Sequence, residues 1–178
     1  CRLPDTRLEQ LHQIANVEIW PERQPPPYEV LLNKVKEIDG LLCLLTDSID
    51  KQIIEAAPSL KVISQLAVGY DNIDIPAATI RGIPIGHTPG VLTEATADLA
   101  WTLLMATARQ VIEADKFVRA GHWQTWEPTL LLGPNISGAT LGIVGFGRIG
   151  QAVARRARGF DMKILYSSRP RQESALEE

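Results

Sequence analysis

The feature that most constrains this chain is a glycine pattern in a particular setting. Gly145-Phe146-Gly147-Arg148-Ile149-Gly150 directly follows the apolar run Leu141-Gly142-Ile143-Val144. That run reads as a strand. Ile149 to Arg158 reads as a helix with Val153 and Ala157 on one face, and Met162 to Ser167 reads as a second strand. A glycine turn between strand and helix is the context in which this spacing binds a dinucleotide. Gly145 permits the tight turn, Gly147 lets the backbone approach a pyrophosphate, and Gly150 lets helix and strand pack closely. The free N–H groups at the helix start favour phosphate charge. Gly145, Gly147, Arg148, Ile149 and Gly150 are therefore candidate cofactor-binding residues. The competing reading is a glycine-rich turn with no ligand.

The tip of the second strand bears on which dinucleotide is bound. A carboxylate for the ribose hydroxyls belongs about 20 residues beyond the glycines. The sequence there is Tyr166-Ser167-Ser168-Arg169-Pro170-Arg171, with no acidic residue at the tip. Ser167 and Ser168 can hydrogen-bond a 2′-phosphate, and Arg169 and Arg171 can pair with its charge. The expectation is NADPH first and NADH second. A solvated basic loop is the alternative.

Upstream, strands and helices alternate. Strands are expected at Val17 to Trp20, Gly40 to Leu45, Lys61 to Leu66 and Ile83 to Gly86. Helices are expected at Tyr28 to Ile38, Lys51 to Ala57 and near Pro76 to Ile80. This order implies an α/β fold, a parallel sheet with helices on its faces. The continuous apolar run from Gly40 to Leu45 reads as a strand buried on both faces. Thr88-Pro89-Gly90 marks a break, dividing residues 1–87 from residues 88–178. Beyond it Thr93 is expected to cap a long helix, Glu94 to about Arg109. That helix is apolar over most of its circumference and so is expected to lie buried between two layers. A second, amphipathic helix, Val111 to Ala120, precedes a loop bearing Trp123 and Trp126.

A formal net charge of −3 without a basic block argues against nucleic acid as a partner. No apolar run is long enough to span a membrane, and no leader-like segment opens the chain. Of the two cysteines, Cys43 sits in an apolar run and reads as a small buried hydrophobe, so a reducing, cytoplasmic setting is expected. No metal-binding pattern is present.

Three motifs occur in order: Leu66-Ala67-Val68-Gly69-Tyr70-Asp71-Asn72-Ile73-Asp74, Thr88-Pro89-Gly90-Val91-Leu92-Thr93, and the strand with its glycine loop at 141–150. Together they resemble the D-isomer-specific 2-hydroxyacid dehydrogenases over essentially the whole chain. Within that family the Trp-bearing loop and the Ser-Ser-Arg-Pro-Arg segment look most like the glyoxylate/hydroxypyruvate reductases. The resemblance implies a flavodoxin-like substrate domain, residues 1–87, followed by the start of a Rossmann NAD(P)-binding domain, residues 88–178, both incomplete. It implies NADPH-preferring reduction of a small 2-keto acid. The backbone N–H groups of Val68 and Gly69 would hold the substrate carboxylate, and Thr96 matches a position on the nicotinamide side of the cofactor. A strand-to-helix loop suits the first role, since it presents free N–H donors.

In the family a His protonates the product oxygen, a Glu tunes that His, and an Arg binds the substrate. None of the three maps onto this sequence. No catalytic residue is therefore assigned within it. Those groups are expected beyond residue 178, and residues 1–178 alone are expected to be inactive and poorly stable. His12, His87 and His122 read as structural, because no carboxylate is placed to tune any of them. Trp123 and Trp126 lie in an arm that, by resemblance, packs across a homodimer interface; packing within the chain suits them equally. Two other outcomes stay open: a cofactor-sensing binding module like the family's corepressors, and an inactive truncated product.

Overall fold

The computed structural model describes residues 5–168, so the predicted cofactor residues Arg169 and Arg171 lie outside the described residues. The chain forms two compact units, Cys1–Gly90 and Val91–Glu178.

The first unit opens with helix α1, Asp5–His12. It continues through α2 (Tyr28–Lys34), a 3-10 turn (Val35–Glu37), β1 (Gly40–Cys43), α3 (Lys51–Glu55), β2 (Val62–Gln65), α4 (Ile75–Ile80) and β3 (Ile85–Gly86). The three strands form a parallel sheet in the order β1-β2-β3, with Leu41 opposite Ile63 and Ile63 opposite Ile85. Helices α3 and α4 are started by side chains. Asp50 accepts from Ile53 N at 3.0 Å, and Asp74 accepts from Ala77 N at 2.9 Å. At the other end of α3, Arg81 donates to the carbonyls of Ile54, Ala57 and Pro58. The core gathers on one face of the sheet: Cys43, Ile49, Ile53, Ile54, Ile63, Ile73, Ala78 and Ile83 are all buried.

Two expectations fail here. Val17 to Trp20 forms no strand: among the described residues no neighbouring strand pairs with it, and an apolar alternation without a ladder partner stays irregular. Nor is the run from Gly40 buried on both faces, because Leu42 is 44% exposed and Leu45 60% exposed. The strand also stops at Cys43. Asp47 captures Leu44 N at 2.7 Å, and its own N–H returns to Leu44 O, so a turn begins where the ladder would continue.

The second unit contains α5 (Thr93–Ala108), α6 (Val111–Arg119), β4 (Thr140–Val144), α7 (Arg148–Ala157), a 3-10 turn (Arg158–Phe160) and β5 (Lys163–Ser167). Strands β4 and β5 pair in parallel, with Ile143 opposite Tyr166. Helix α7 packs beside α5. Small residues permit this, with Ala97 on α5 and Ala152, Ala154 and Ala157 on α7 buried. Arg156 donates to Asp98 and Glu94, and Arg155 to Glu94, clamping the pair from outside. These carboxylates raise the Arg156 guanidinium above its ordinary value, with the Asp98 hydrogen bond the largest cause.

Thr93 does not cap α5. The helix begins one residue earlier than predicted, with Leu92 at the cap and no side-chain bond there. Helix α5 packs along one side on α7, and within these residues Leu99 and Leu103 are 59% and 58% exposed. Between α5 and α6 the backbone turns through Gln110 in the left-handed region, which separates the two helices.

Candidate functional site

Two loops, one in each unit, carry most of the predicted binding residues. The first follows β2, the central strand of its sheet, and contains Val68 and Gly69. Strand-like bonds run past the end of the sheet: Leu66 N donates to Cys43 O at 3.0 Å, and Thr88 N donates to Ala67 O at 2.9 Å. Then the loop turns. Val68 O lies 2.9 Å from His87 Nδ1, and Gly69 O accepts from Gln65 Nε2 at 3.2 Å. Among the described residues neither Val68 N nor Gly69 N has an acceptor. A Cβ built on Gly69 would meet only ordinary contacts, the nearest Leu45 Cδ2 at 3.8 Å, so the fold itself does not demand glycine there.

A buried polar hub underlies this loop. Gln65 is 1% exposed and donates through Nε2 to Asn72 Oδ1 at 2.7 Å as well as to Gly69 O. Its Oε1 accepts from the Cys43 thiol at 3.0 Å. Asn72 Nδ2 donates to Leu44 O at 3.0 Å and Asp47 O at 2.8 Å. Every polar atom of the two amide side chains thus has a partner, as burial requires. Burial, reinforced by the Asp47 charge, pushes the Cys43 thiol up to about 12, so it acts as a weak donor and not as a nucleophile. Gln65 and Asn72 received no role from sequence reasoning. The signal was present: alternation along β2 puts Gln65 on the inward face with Ile63, where a polar residue must find partners.

The second loop joins β4 to α7. Gly145 has φ +93°, a conformation that side chains rarely adopt, and its N–H donates to Ser167 O at 2.8 Å, tying the loop to the tip of β5. A Cβ on Gly150 would lie 2.3 Å from Gly145 O, so helix and loop touch backbone to backbone. Above Gly147 no atom would lie within 4 Å of a Cβ, and no side chain caps α7 there. The first N–H groups of α7 are therefore left toward open space, with the partial positive charge of a helix start. Phe146 stacks on Tyr166 with ring centroids 4.1 Å apart, and Gln151 Nε2 donates to Phe146 O at 3.1 Å. Arg148 and Ile149 are exposed in the first turn of α7, and Ser167 and Ser168 are exposed at the end of β5. This geometry suits a dinucleotide's phosphates: donors converge, the backbone is accessible, and no carboxylate caps the helix.

Thr96 is exposed on the first turn of α5, away from both loops in sequence. Of the three histidines, His87 meets the Val68 carbonyl and the edge of Tyr70, at 5.0 Å between centroids, whereas His122 packs on Phe117. Among the described residues no group of three or more His, Cys, Asp or Glu is arranged to hold a metal. No helix among them is long and apolar enough to cross a membrane.

The catalytic domain of the D-isomer specific 2-hydroxyacid dehydrogenases matches residues 2–175. The glyoxylate reductase of Thermococcus litoralis is 54% identical over 181 residues, covering 99% of this chain and 55% of that protein. Among solved structures, a protein from Thermus thermophilus is 42% identical with a TM-score of 0.81, covering 96% of this chain and 56% of its own. An acyclic imino acid reductase solved with NADPH and D-Arg is 26% identical with a TM-score of 0.81, covering 98% of this chain and 55% of its own. The chain spans about half the length of the curated relatives it matches.

Proposed function

The chain belongs to the D-isomer-specific 2-hydroxyacid dehydrogenase family, and from that premise we propose that it supplies the carboxylate-binding and phosphate-binding loops of an enzyme reducing a small 2-keto acid with NADPH. Glyoxylate and hydroxypyruvate are the proposed substrates, by similarity to the glyoxylate reductases. Residues 1–87 then belong to the substrate domain and residues 88–178 begin the nucleotide domain. The observation that carries the proposal is the glycine turn, with α7 uncapped, open space over Gly147 and backbone contact at Gly150.

When bound, a nicotinamide dinucleotide supplies the hydride for the keto carbon. This chain's own residues bind and orient. The α7 N–H groups and the backbone of Gly145 to Gly150 receive the pyrophosphate. Ser167 and Ser168, with Arg169 and Arg171, receive the 2′-phosphate, and Thr96 lines the nicotinamide side. Val68 and Gly69 N–H receive the substrate carboxylate. None of this chain's described residues is assigned to donate the proton to the product oxygen. We assign the protein to the cytoplasm, which suits the reduced Cys43. We assign Trp123 and Trp126, 59% and 77% exposed, to a homodimer contact, since large aromatic side chains favour such anchoring.

The test is NADPH oxidation with glyoxylate and with hydroxypyruvate by a polypeptide that continues these residues to the length of the relatives. NADPH binding without turnover of either acid would favour a cofactor-sensing module instead. Cofactor choice is tested separately with Arg169→Ala/Arg171→Ala. NADPH affinity should fall by roughly ten- to a hundredfold, the worth of a charge-assisted contact, with NADH affinity unchanged. Equal loss of both dinucleotides removes the two arginines from cofactor selection.

A further inference from the structure

We propose that His87 is a positioning residue that holds the Gly69 N–H in place as a carboxylate donor; this rests on the substrate reading of Val68 and Gly69. A carbonyl oxygen only accepts, so at 2.9 Å from Val68 O the Nδ1 of His87 carries the proton and donates. The Val68 carbonyl shares a planar, trans peptide with the Gly69 N–H, and the two point in opposite directions. Fixing the Val68 oxygen therefore fixes the direction of the Gly69 N–H. The preceding peptide is held in the same way. Thr88 N donates to Ala67 O at 2.9 Å, and that carbonyl shares its plane with the Val68 N–H.

Both carbonyls thus turn toward one short segment, His87-Thr88, and both N–H groups turn away from it. Along a regular strand successive N–H groups point in alternate directions. Here two consecutive ones are left without acceptors among the described residues, so both are available to one anion. Gln65 fixes the next peptide through Gly69 O. Of the three contacts, the one from His87 comes from an exposed side chain beyond β3, so it can be removed without opening the core. The edge-on contact of Tyr70, with interplanar angle 82°, keeps the imidazole in position.

Two substitutions separate positioning from packing. His87→Ala removes the donor. His87→Asn restores one, because the asparagine Nδ2 is attached to Cγ as the histidine Nδ1 is. A polypeptide that continues these residues to the length of the relatives is labelled with 15N-glycine, and 15N relaxation is read at Gly69. In the wild type the Gly69 order parameter should lie near the rigid value of about 0.85. It should fall below about 0.6 in His87→Ala and recover in His87→Asn. Sodium oxalate serves as the carboxylate probe. It should shift the Gly69 amide in the wild type and bind about fivefold more weakly in His87→Ala, the loss expected for one hydrogen bond. An unchanged order parameter in His87→Ala overturns the proposal. A wild-type Gly69 amide that ignores oxalate, with the order parameters behaving as stated, overturns the carboxylate reading instead.

Discussion

Gly150→Val is expected to destabilise the second unit by about 1–3 kcal/mol and to abolish dinucleotide binding with it. The Cβ alone would lie 2.3 Å from Gly145 O and 3.3 Å from Ile143 Cγ2. The oxygen cannot swing aside cheaply. Gly145 already sits at φ +93°, and its N–H is bonded to Ser167 O. Relief therefore requires α7 to lift from β4, opening the contact that aims the helix start. Gly147→Ala is the counterpart. Its Cβ would meet no atom within 4 Å, and φ −76° is open to any residue. Stability should change by no more than about 0.5 kcal/mol. NADPH affinity should nevertheless fall, because the methyl occupies the space left for phosphate. Urea titration and NADPH fluorescence read the two effects separately. Wild-type stability in Gly150→Val removes the close helix–strand contact, and wild-type NADPH affinity in Gly147→Ala removes the loop from phosphate binding.

Asn72→Asp should cost more than its one-atom change suggests, about 2–5 kcal/mol. The Nδ2 of Asn72 is the donor to both Leu44 O and Asp47 O. An aspartate presents an acceptor to those two carbonyls and adds a charge close to the buried Gln65. Gln65 keeps a partner through Nε2, so the loss falls on the turn at 44–47 and on the loop carrying Val68 and Gly69. Protonating the aspartate restores one donor. The destabilisation should therefore shrink as pH drops toward the carboxyl range, where the neutral acid can serve one carbonyl. Urea midpoints across pH measure this. A variant as stable as wild type at neutral pH would mean that the amide hub does not hold the loop. Asn72→Ala, which loses those two bonds and the one from Gln65 but adds no charge, should fall between wild type and Asn72→Asp at neutral pH.

Much of the architecture was legible from local pattern. The glycine turn between β4 and α7 is encoded at single residues, because positive φ at Gly145 and backbone contact at Gly150 each exclude side chains. The parallel strands β1, β2 and β3 and the helices between them followed from apolar periodicity, and element ends moved by only a few residues. Whether Val17 to Trp20 pairs, whether Leu42 is covered and whether Leu99 and Leu103 are enclosed all depend on what lies opposite, and apolarity does not report that.

Local propensity thus determined which segments are strands, helices and glycine turns, since a residue's own side chain and its near neighbours limit φ and ψ. Tertiary structure alone decided that Gln65 and Asn72 meet under the Val68–Gly69 loop and that His87, 19 residues on, faces the Val68 carbonyl. His87 follows β3 and Val68 follows β2, so parallel register brings those two together, whereas Gln65 and Asn72 meet where the chain after β2 folds back. A hydrogen bond's worth depends on burial and geometry at the meeting point, neither of which is written in the spacing of residues along the chain.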